Sequence, residues 1–519
     1  MPLSKDVYRE LEDVLGPENI SEDPAILVGY QYPVPPVFGG DNAWSPRPSA
    51  VALPGSTKEV QAIMKLSNRR GIKSRAFGTG YVLYNRVENE DVMILDLRRM
   101  NRILDIDEKN MFIVVEPYVS FAQVQAEAHK RGLNCLIISA GAQASFLASH
   151  TSAHGHASQS ISQSYSGRNL LAVEWVLPTG EILKMGSCGS GTGWFSGDGP
   201  GPSLRGIMRG AGGAYGGLGV FTKCAAHLHP WPGAPEMEIT GISPEYEAEV
   251  PPFFEYHVLD FPDWNKFGEA IYKISKAGIA YAMHKTAGPG THPAYVTTSN
   301  DEYWAKWQKG ELRLPRISLS LVLAAHSKHG HEYQVKVLNK ILEETQGRIT
   351  PVGEEPTWKK RDYLHFIKIC HIPRQPFRLC GGMAETFSSM ETTDHISDLL
   401  AADEKLIDKY MKAKAIMDDG TINNWMVTYE DGHYAHYEGG ILWNAQDQEA
   451  AKIVGGIYNE GEEIAKRMGA NLAAFIPPGP LLKHGPAISN YHIWMRRIKK
   501  AFDPNEVSDN TYYISAKES

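Results

Sequence analysis

The stretch GSCGSGTGWFSGDGPGPSLRGIMRGAGGAYGGLGVFTK, from Gly186 to Lys223, decides how this chain is read. Half of Gly206 to Gly219 is glycine, and the tract closes directly into the strand-like run Val220-Phe-Thr-Lys223. Glycine loses more conformational entropy on folding than any other residue, so this many ahead of an ordered strand point to close backbone approach to a bulky ligand. A flexible connector is the competing reading. It fails on Trp194, Phe195, Leu204, Ile207, Met208 and Tyr215, which a solvated linker would not carry. A second glycine loop lies upstream in Ser74-Arg-Ala-Phe-Gly-Thr-Gly-Tyr81. Two amide-rich loops in one half of a chain suggest one long anionic cofactor lying between them.

Working outward, the length of 519 residues allows two or three packed units. A net charge of −8 and the lack of a long basic run give no support for nucleic-acid binding. No apolar span of about 18 residues and no apolar signal core are visible, so no membrane span is expected. Cys135, Cys188, Cys224, Cys370 and Cys380 are scattered without a CxxC pair, which argues against a cysteine-held iron–sulfur cluster or zinc ribbon. A reducing cytoplasm is the compartment expected.

Residues 6–15 read as an amphipathic helix, and Ala50-Val-Ala-Leu-Pro54 as a buried strand. Ser56-Thr-Lys-Glu59 is a capping-box pattern opening the helix that runs through Leu66. Gly71 to Ala76, Val92 to Leu97 and Phe112 to Glu116 read as strands, Val119 to Arg131 as a helix stopped by Gly132, and Ala172 to Glu181 as a strand and turn. The proline-dense Pro230-Trp-Pro-Gly-Ala-Pro235 marks a domain break. Tyr491 to Ala501 reads as a last amphipathic helix with a basic side. The Gly78-Thr-Gly80 loop lacks the third glycine of a Rossmann fingerprint, and there is no Walker-type phosphate loop.

The order of these pieces resembles the vanillyl-alcohol oxidase and p-cresol methylhydroxylase superfamily. The residues that carry the resemblance are Val51-Ala-Leu-Pro-Gly-Ser-Thr-Lys-Glu-Val60, Arg75-Ala-Phe-Gly-Thr-Gly-Tyr81, Leu95-Asp-Leu-Arg-Arg-Met-Asn101 and Val115-Glu-Pro-Tyr-Val119. Glu174-Trp-Val-Leu-Pro-Thr-Gly180, Gly216-Gly-Leu-Gly-Val-Phe-Thr222 and Arg497-Ile-Lys-Lys-Ala-Phe-Asp-Pro-Asn505 follow in the same order. The resemblance implies an α+β fold: a two-part PCMH-type FAD-binding domain over 1–232 and 475–519, with an inserted α+β cap over 233–474. It places Ala76, Phe77, Gly78, Thr79, Gly80, Tyr81 and Val82 at the pyrophosphate of FAD. Ser152, His154, Gly155, Gly213, Gly216, Gly217, Gly219 and Val220 would line the rest. Tyr81 stands where some members carry a flavin-linking histidine, so noncovalent FAD is expected.

Other departures bear on chemistry. The glycolate- and lactate-dehydrogenase branch holds a metal through HxGDGNxH and a later Glu-His pair. Here Tyr429-Glu-Asp-Gly-His-Tyr-Ala-His-Tyr-Glu438 stands in the first place and Ile476-Pro-Pro-Gly-Pro480 in the second. Half of that metal site is missing, so no metal is expected, with metal ligation by His433 and His436 the alternative. Tyr429, His433, His436 and Glu438 are read as proton-handling or substrate-binding groups, although on a strand His433 and His436 would face opposite ways. The lysine or arginine that faces flavin N1 in the family aligns near Tyr512, leaving Arg378 or a histidine to take that role. Arg374 and Arg378 offer cations for an anionic substrate.

The resulting expectation is an FAD-dependent dehydrogenase acting on a small anionic or alcohol-type substrate. Its electrons would pass to a protein partner such as an electron-transfer flavoprotein or an iron–sulfur subunit, in a homodimer or hetero-oligomer. An oxygen-using alcohol or aromatic oxidase, and a non-redox flavoprotein similar to alkylglycerone-phosphate synthase, remain alternatives.

Overall fold

Ala50–Ala52 and Lys73–Phe77 both pair in parallel with Val92–Asp96, and Ile20–Ser21 closes the outer edge antiparallel to Ala50–Ala52. The crossover is the helix Thr57–Arg70, where Ser56 Oγ accepts the Glu59 N–H at 3.2 Å and Gly71 ends the helix in the left-handed region at φ 66°. Val60, Ile63, Met64 and Leu66 bury one side of this helix against Leu11 and the strand residues Met93 and Leu95. Each such side chain stabilises by about 1.5–3 kcal/mol. This computed structural model describes residues 3–32, 44–81, 85–138, 141–153, 155–191, 193–194, 196–199, 201–209, 212–242, 246–285, 299, 301–302, 305–306, 309, 311, 315–368, 381–413, 415–416, 424–444, 447–470 and 478–517.

A second sheet has five antiparallel strands in the order Ile103–Asp107, Phe112–Val115, Val220–His227, Leu170–Val176 and Ile182–Lys184. The glycine tract thus feeds the central strand. Ile103–Asp107 is a strand the sequence reading passes over. Its sequence, Ile-Leu-Asp-Ile-Asp, lies at the sheet edge with Leu104 and Asp105 exposed, so it lacks a buried face to signal it.

The third sheet has seven antiparallel strands, ordered Arg348–Ile349, Phe254–Asp260, Ser318–Ala324, Ala280–Lys285, Asn424–Tyr429, Tyr434–Asn444 and Gly381–Thr392. One face buries Met283, Leu321, Met426, Tyr437 and Ile441 against the helices Trp264–Lys276, Thr393–Lys412 and Gln448–Arg467. The sheet also meets the N-terminal half directly. Met283 N–H donates to Ser158 O at 2.7 Å, and Ser158 Oγ lies 2.8 Å from His284 Nδ1. The proline-dense break sits at this seam: Trp231 stacks on His129 with ring centroids 4.3 Å apart and shares a core with Tyr256 and Phe366.

The C-terminal segment returns to the first two sheets. Ser74 N–H donates to Val507 O and Asp509 N–H to Ser74 O, so the tail lies parallel to the strand that carries the first glycine loop. Arg75 and Asp509 form a buried ion pair at 2.9 Å. Lys499, fully buried on the helix Tyr491–Phe502, donates to Gly217 O at 2.7 Å, Asp503 Oδ2 at 2.6 Å and Ser508 O at 2.9 Å. Among the described residues no helix is long and apolar enough to cross a membrane.

Candidate functional site

The loop Gly78 to Tyr81 leaves the strand Lys73–Phe77, with Gly80 in the left-handed region at φ 69°. Among the described residues, none accepts a hydrogen bond from the N–H of Gly78, Thr79, Gly80 or Tyr81. Four consecutive unspent amides make a nest for an anion such as a pyrophosphate. Arg75 ties this loop to the second one: its Nη2 donates to Tyr215 O at 3.3 Å. Ala214 and Tyr215 in turn donate to Thr151 O and Ser152 O, which brings the segment 149–153 into the same wall.

The glycines divide into two groups. A Cβ on Gly155 would lie 1.7 Å from Ile138 Cγ2, on Gly213 2.5 Å from Met208 O, on Gly217 2.3 Å from Tyr513 Cβ, and on Gly219 2.4 Å from Val176 O. These four are required by the protein's own segments, so close approach to a ligand is not needed to explain them. Gly216 has room, with its nearest atom at 3.7 Å and φ 73°, whereas a Cβ on Gly78 would press Ser145 Cβ at 3.2 Å. The unspent amides and the open space at Gly216 together fit a long phosphate-bearing cofactor. Val220 begins the strand Val220–His227 behind this wall. Val82, His154 and Arg378 lie outside the described residues.

Strand parity sets the opposite wall. His436 pairs with Val427 and Met390, Glu438 with Trp425 and Ser388, and Tyr434 with Tyr429. Cross-strand partners share a face, and alternate residues of a strand share it too. Tyr429, Trp425, His436 and Glu438 therefore project together from the sheet face opposite Tyr437 and Met426, which belong to the core. That face meets the N-terminal half at His156. The His156 ring stacks on His436 at 4.2 Å with 20° between planes, and the Tyr429 hydroxyl hydrogen-bonds His156 Nδ1. Burial, followed by the nearby Tyr434 and Tyr165, raises the Tyr429 phenol well above its ordinary value, so it keeps its proton and donates it. Tyr81, at the end of the first glycine loop, is likewise raised by burial and then by the charge of Glu438.

His436 is fully buried. Its Nδ1 lies 3.2 Å from Ser389 O, which can only accept, so Nδ1 carries a hydrogen. Its Nε2 lies 2.9 Å from Glu438 Oε1, and one proton must sit between the two. His433 is exposed on the turn before the strand and stands outside this group; its carbonyl accepts from Thr393 N–H.

One residue of the site escaped sequence reading. Glu385 lies opposite Gly440, two residues from Glu438 on the neighbouring strand, next to a bulge between Glu385 and Ser388. Burial, then the Glu438 charge, pushes its carboxyl up to about 7, against a lowering by the Ser388 hydroxyl. A raised carboxyl contributes stability that is complete below its ordinary value of 4.5 and is lost as pH rises through about 7. We expect wild-type stability to fall across that window with a slope of up to about 1.4 kcal/mol per pH unit from this group. Glu385→Gln should remove that slope and be the more stable protein above pH 7, as thermal unfolding against pH would show. An unchanged profile in the variant would refute the assignment.

Residues 48–186 match the FAD binding domain family, and the cofactor is FAD. An uncharacterized FAD-linked oxidoreductase of Mycobacterium tuberculosis is 23% identical over 257 residues, 49% of this chain and 50% of the relative. A D-lactate dehydrogenase of Anaerostipes hadrus is 29% identical over 220 residues, 41% of this chain and 43% of the relative. The chain thus matches half or less of the length of these relatives. Over the whole chain the fold is that of substrate-bound p-cresol methylhydroxylase, with a TM-score of 0.75, 17% identity, and coverage of 100% of this chain and 99% of that one.

Proposed function

We propose that the chain is an FAD-dependent dehydrogenase that oxidises an alcohol-type or small anionic organic substrate and passes the electrons to a protein partner. The observation that carries this reading is the His436–Glu438 pair, brought by the third sheet onto His156 of the N-terminal half. The amides of Gly78 to Tyr81 and the wall made by Ser152, Gly155 and Gly213 to Gly219 hold FAD. When bound, FAD supplies the acceptor for a hydride.

The chain's own part is the proton. A substrate hydroxyl becomes a carbonyl only if its proton leaves as the hydride does, and Glu438, with His436 behind it, receives that proton. His436 holds its ring by the Nδ1 bond to Ser389 O and by stacking on His156, which Tyr429 in turn orients. A general base so positioned accelerates by about 10²–10⁴-fold.

Anaerobic screening of hydroxy acids, alcohols and phenols against a dye acceptor, paired with peroxide output in air, tests the reading. Dye reduction without stoichiometric peroxide is expected; rapid stoichiometric peroxide would make the chain an oxidase. Because Tyr81 stands at the linking position, acid precipitation should leave FAD in the supernatant. Yellow colour retained by the pellet would contradict noncovalent binding.

A further inference from the structure

From Ile464 to Phe502 the sequence contains no Asp or Glu, although the chain as a whole carries −8. The helix Tyr491–Phe502 lies in this segment. Its inner side is spent on the protein. Met495, Ile498 and Phe502 pack on the core that holds Trp175 and Tyr513, Phe502 stacks on Trp175 at 5.2 Å, and Lys499 is buried on Gly217 O. Its outer side is not. Tyr491, Ile493 and Trp494 are 49%, 38% and 55% exposed, with Leu482 of the adjoining helix at 39%. The Arg497 guanidinium lies 4.6 Å over the Trp494 ring, and no described carboxylate forms an ion pair with Arg496, Arg497 or Lys500.

We infer that this outer face is the docking surface of an acidic redox protein, the partner that accepts electrons from the flavin; the redox role, but not the docking, rests on the function proposed above. Charge complementarity argues for an acidic occupant. A guanidinium already stacked on an indole presents its edge to carboxylates in bidentate geometry. Exposed Trp, Tyr and Arg are the side chains that anchor protein interfaces. A lipid surface fits less well, since membrane-lying helices bury a whole apolar face and this one has already spent its own on the core. A second copy fits less well too, because a two-fold pairing through this face would set Arg497 and Lys500 against themselves. The same helix that exposes these rings holds the second glycine loop through Lys499, which is buried and donates to Gly217 O. Each two-electron reoxidation of the flavin would reduce two one-electron carriers and release its protons to solvent.

Succinylated cytochrome c, an acidic redox protein, serves as the probe, with native basic cytochrome c as control. Equilibrium titration of the full FAD-loaded protein measures docking without substrate turnover, and haem reduction by the photoreduced protein measures electron transfer. Binding of the succinylated form is expected, weakened by salt at about 0.5 M and by at least about tenfold in Arg497→Glu/Lys500→Glu and in Trp494→Ala. Haem reduction should slow in step, while reduction of a small neutral dye stays unchanged. Several results would overturn the inference: equal binding of native and succinylated forms, unaltered affinity in the variants, loss in the variants of binding to phosphatidylserine vesicles, or loss of a homodimer. If docking survives but substrate never reduces the flavin, the proposed function fails and the docking surface stands.

Discussion

Replacing His436 with alanine should slow flavin reduction by substrate at least about a hundredfold while FAD content stays at the wild-type level. The imidazole is fully buried, its Nδ1 is committed to Ser389 O, and its Nε2 shares a proton with Glu438. Alanine removes the group that tunes and orients Glu438 and takes away the ring on which His156 stacks. The glycine loops proposed to hold FAD lie on other elements, so cofactor retention should not change. Anaerobic stopped-flow at the flavin absorbance measures the step directly, and flavin content per chain is read from the same samples. His436→Gln, which restores a hydrogen-bonding side chain without a titrating one, should recover folding and not rate. An unaltered reductive half-reaction in the alanine variant would remove His436 from the mechanism.

Lys499→Met should cost about 3–5 kcal/mol, the usual penalty for breaking one side of a buried pair. Asp503 is almost fully buried and would be left without its ion-pair partner. Gly217 O and Ser508 O lose this donor at once, and Asp503 Oδ2 is left with the Ser508 N–H. Because Gly217 belongs to the second glycine loop and Ser508 Oγ accepts from Gly219 N–H at 2.9 Å, the loop and the tail should loosen together. FAD should then dissociate at lower temperature than in wild type, visible as an early rise in flavin fluorescence on heating. Adding Asp503→Asn to Lys499→Met should return part of the loss, since the stranded charge is then gone. No recovery in the double variant, or a single variant as stable as wild type, would show that the buried pair is not what pins the tail.

The first two sheets were largely legible in the sequence because their signals are local. Ser56 caps the helix three residues before Glu59, Gly71 ends it at positive φ, and both act within one turn of chain. The third sheet was legible only as a change of texture after residue 235, and the edge strand Ile103–Asp107 was missed for want of a buried face. In the site, Tyr429, His436 and Glu438 stood close enough in sequence to be singled out together. His433 belonged to the same cluster by spacing, yet the turn at Glu430–Gly432 leaves it exposed before the strand begins.

What sequence by itself determined is the material: two glycine loops, the β-α-β unit that leads into the first of them, and a strand carrying an imidazole beside a carboxylate. Tertiary structure decided the meetings. His156 reaches His436 only because the third sheet packs its polar face on the N-terminal half, and Glu385 joins Glu438 only through the register of a bulged strand pair. Gly217 needs to be glycine because Tyr513 arrives from the end of the chain. The physical reason is one of range. Capping and positive φ are settled by covalent geometry within a few residues, whereas these contacts depend on burial between segments hundreds of residues apart.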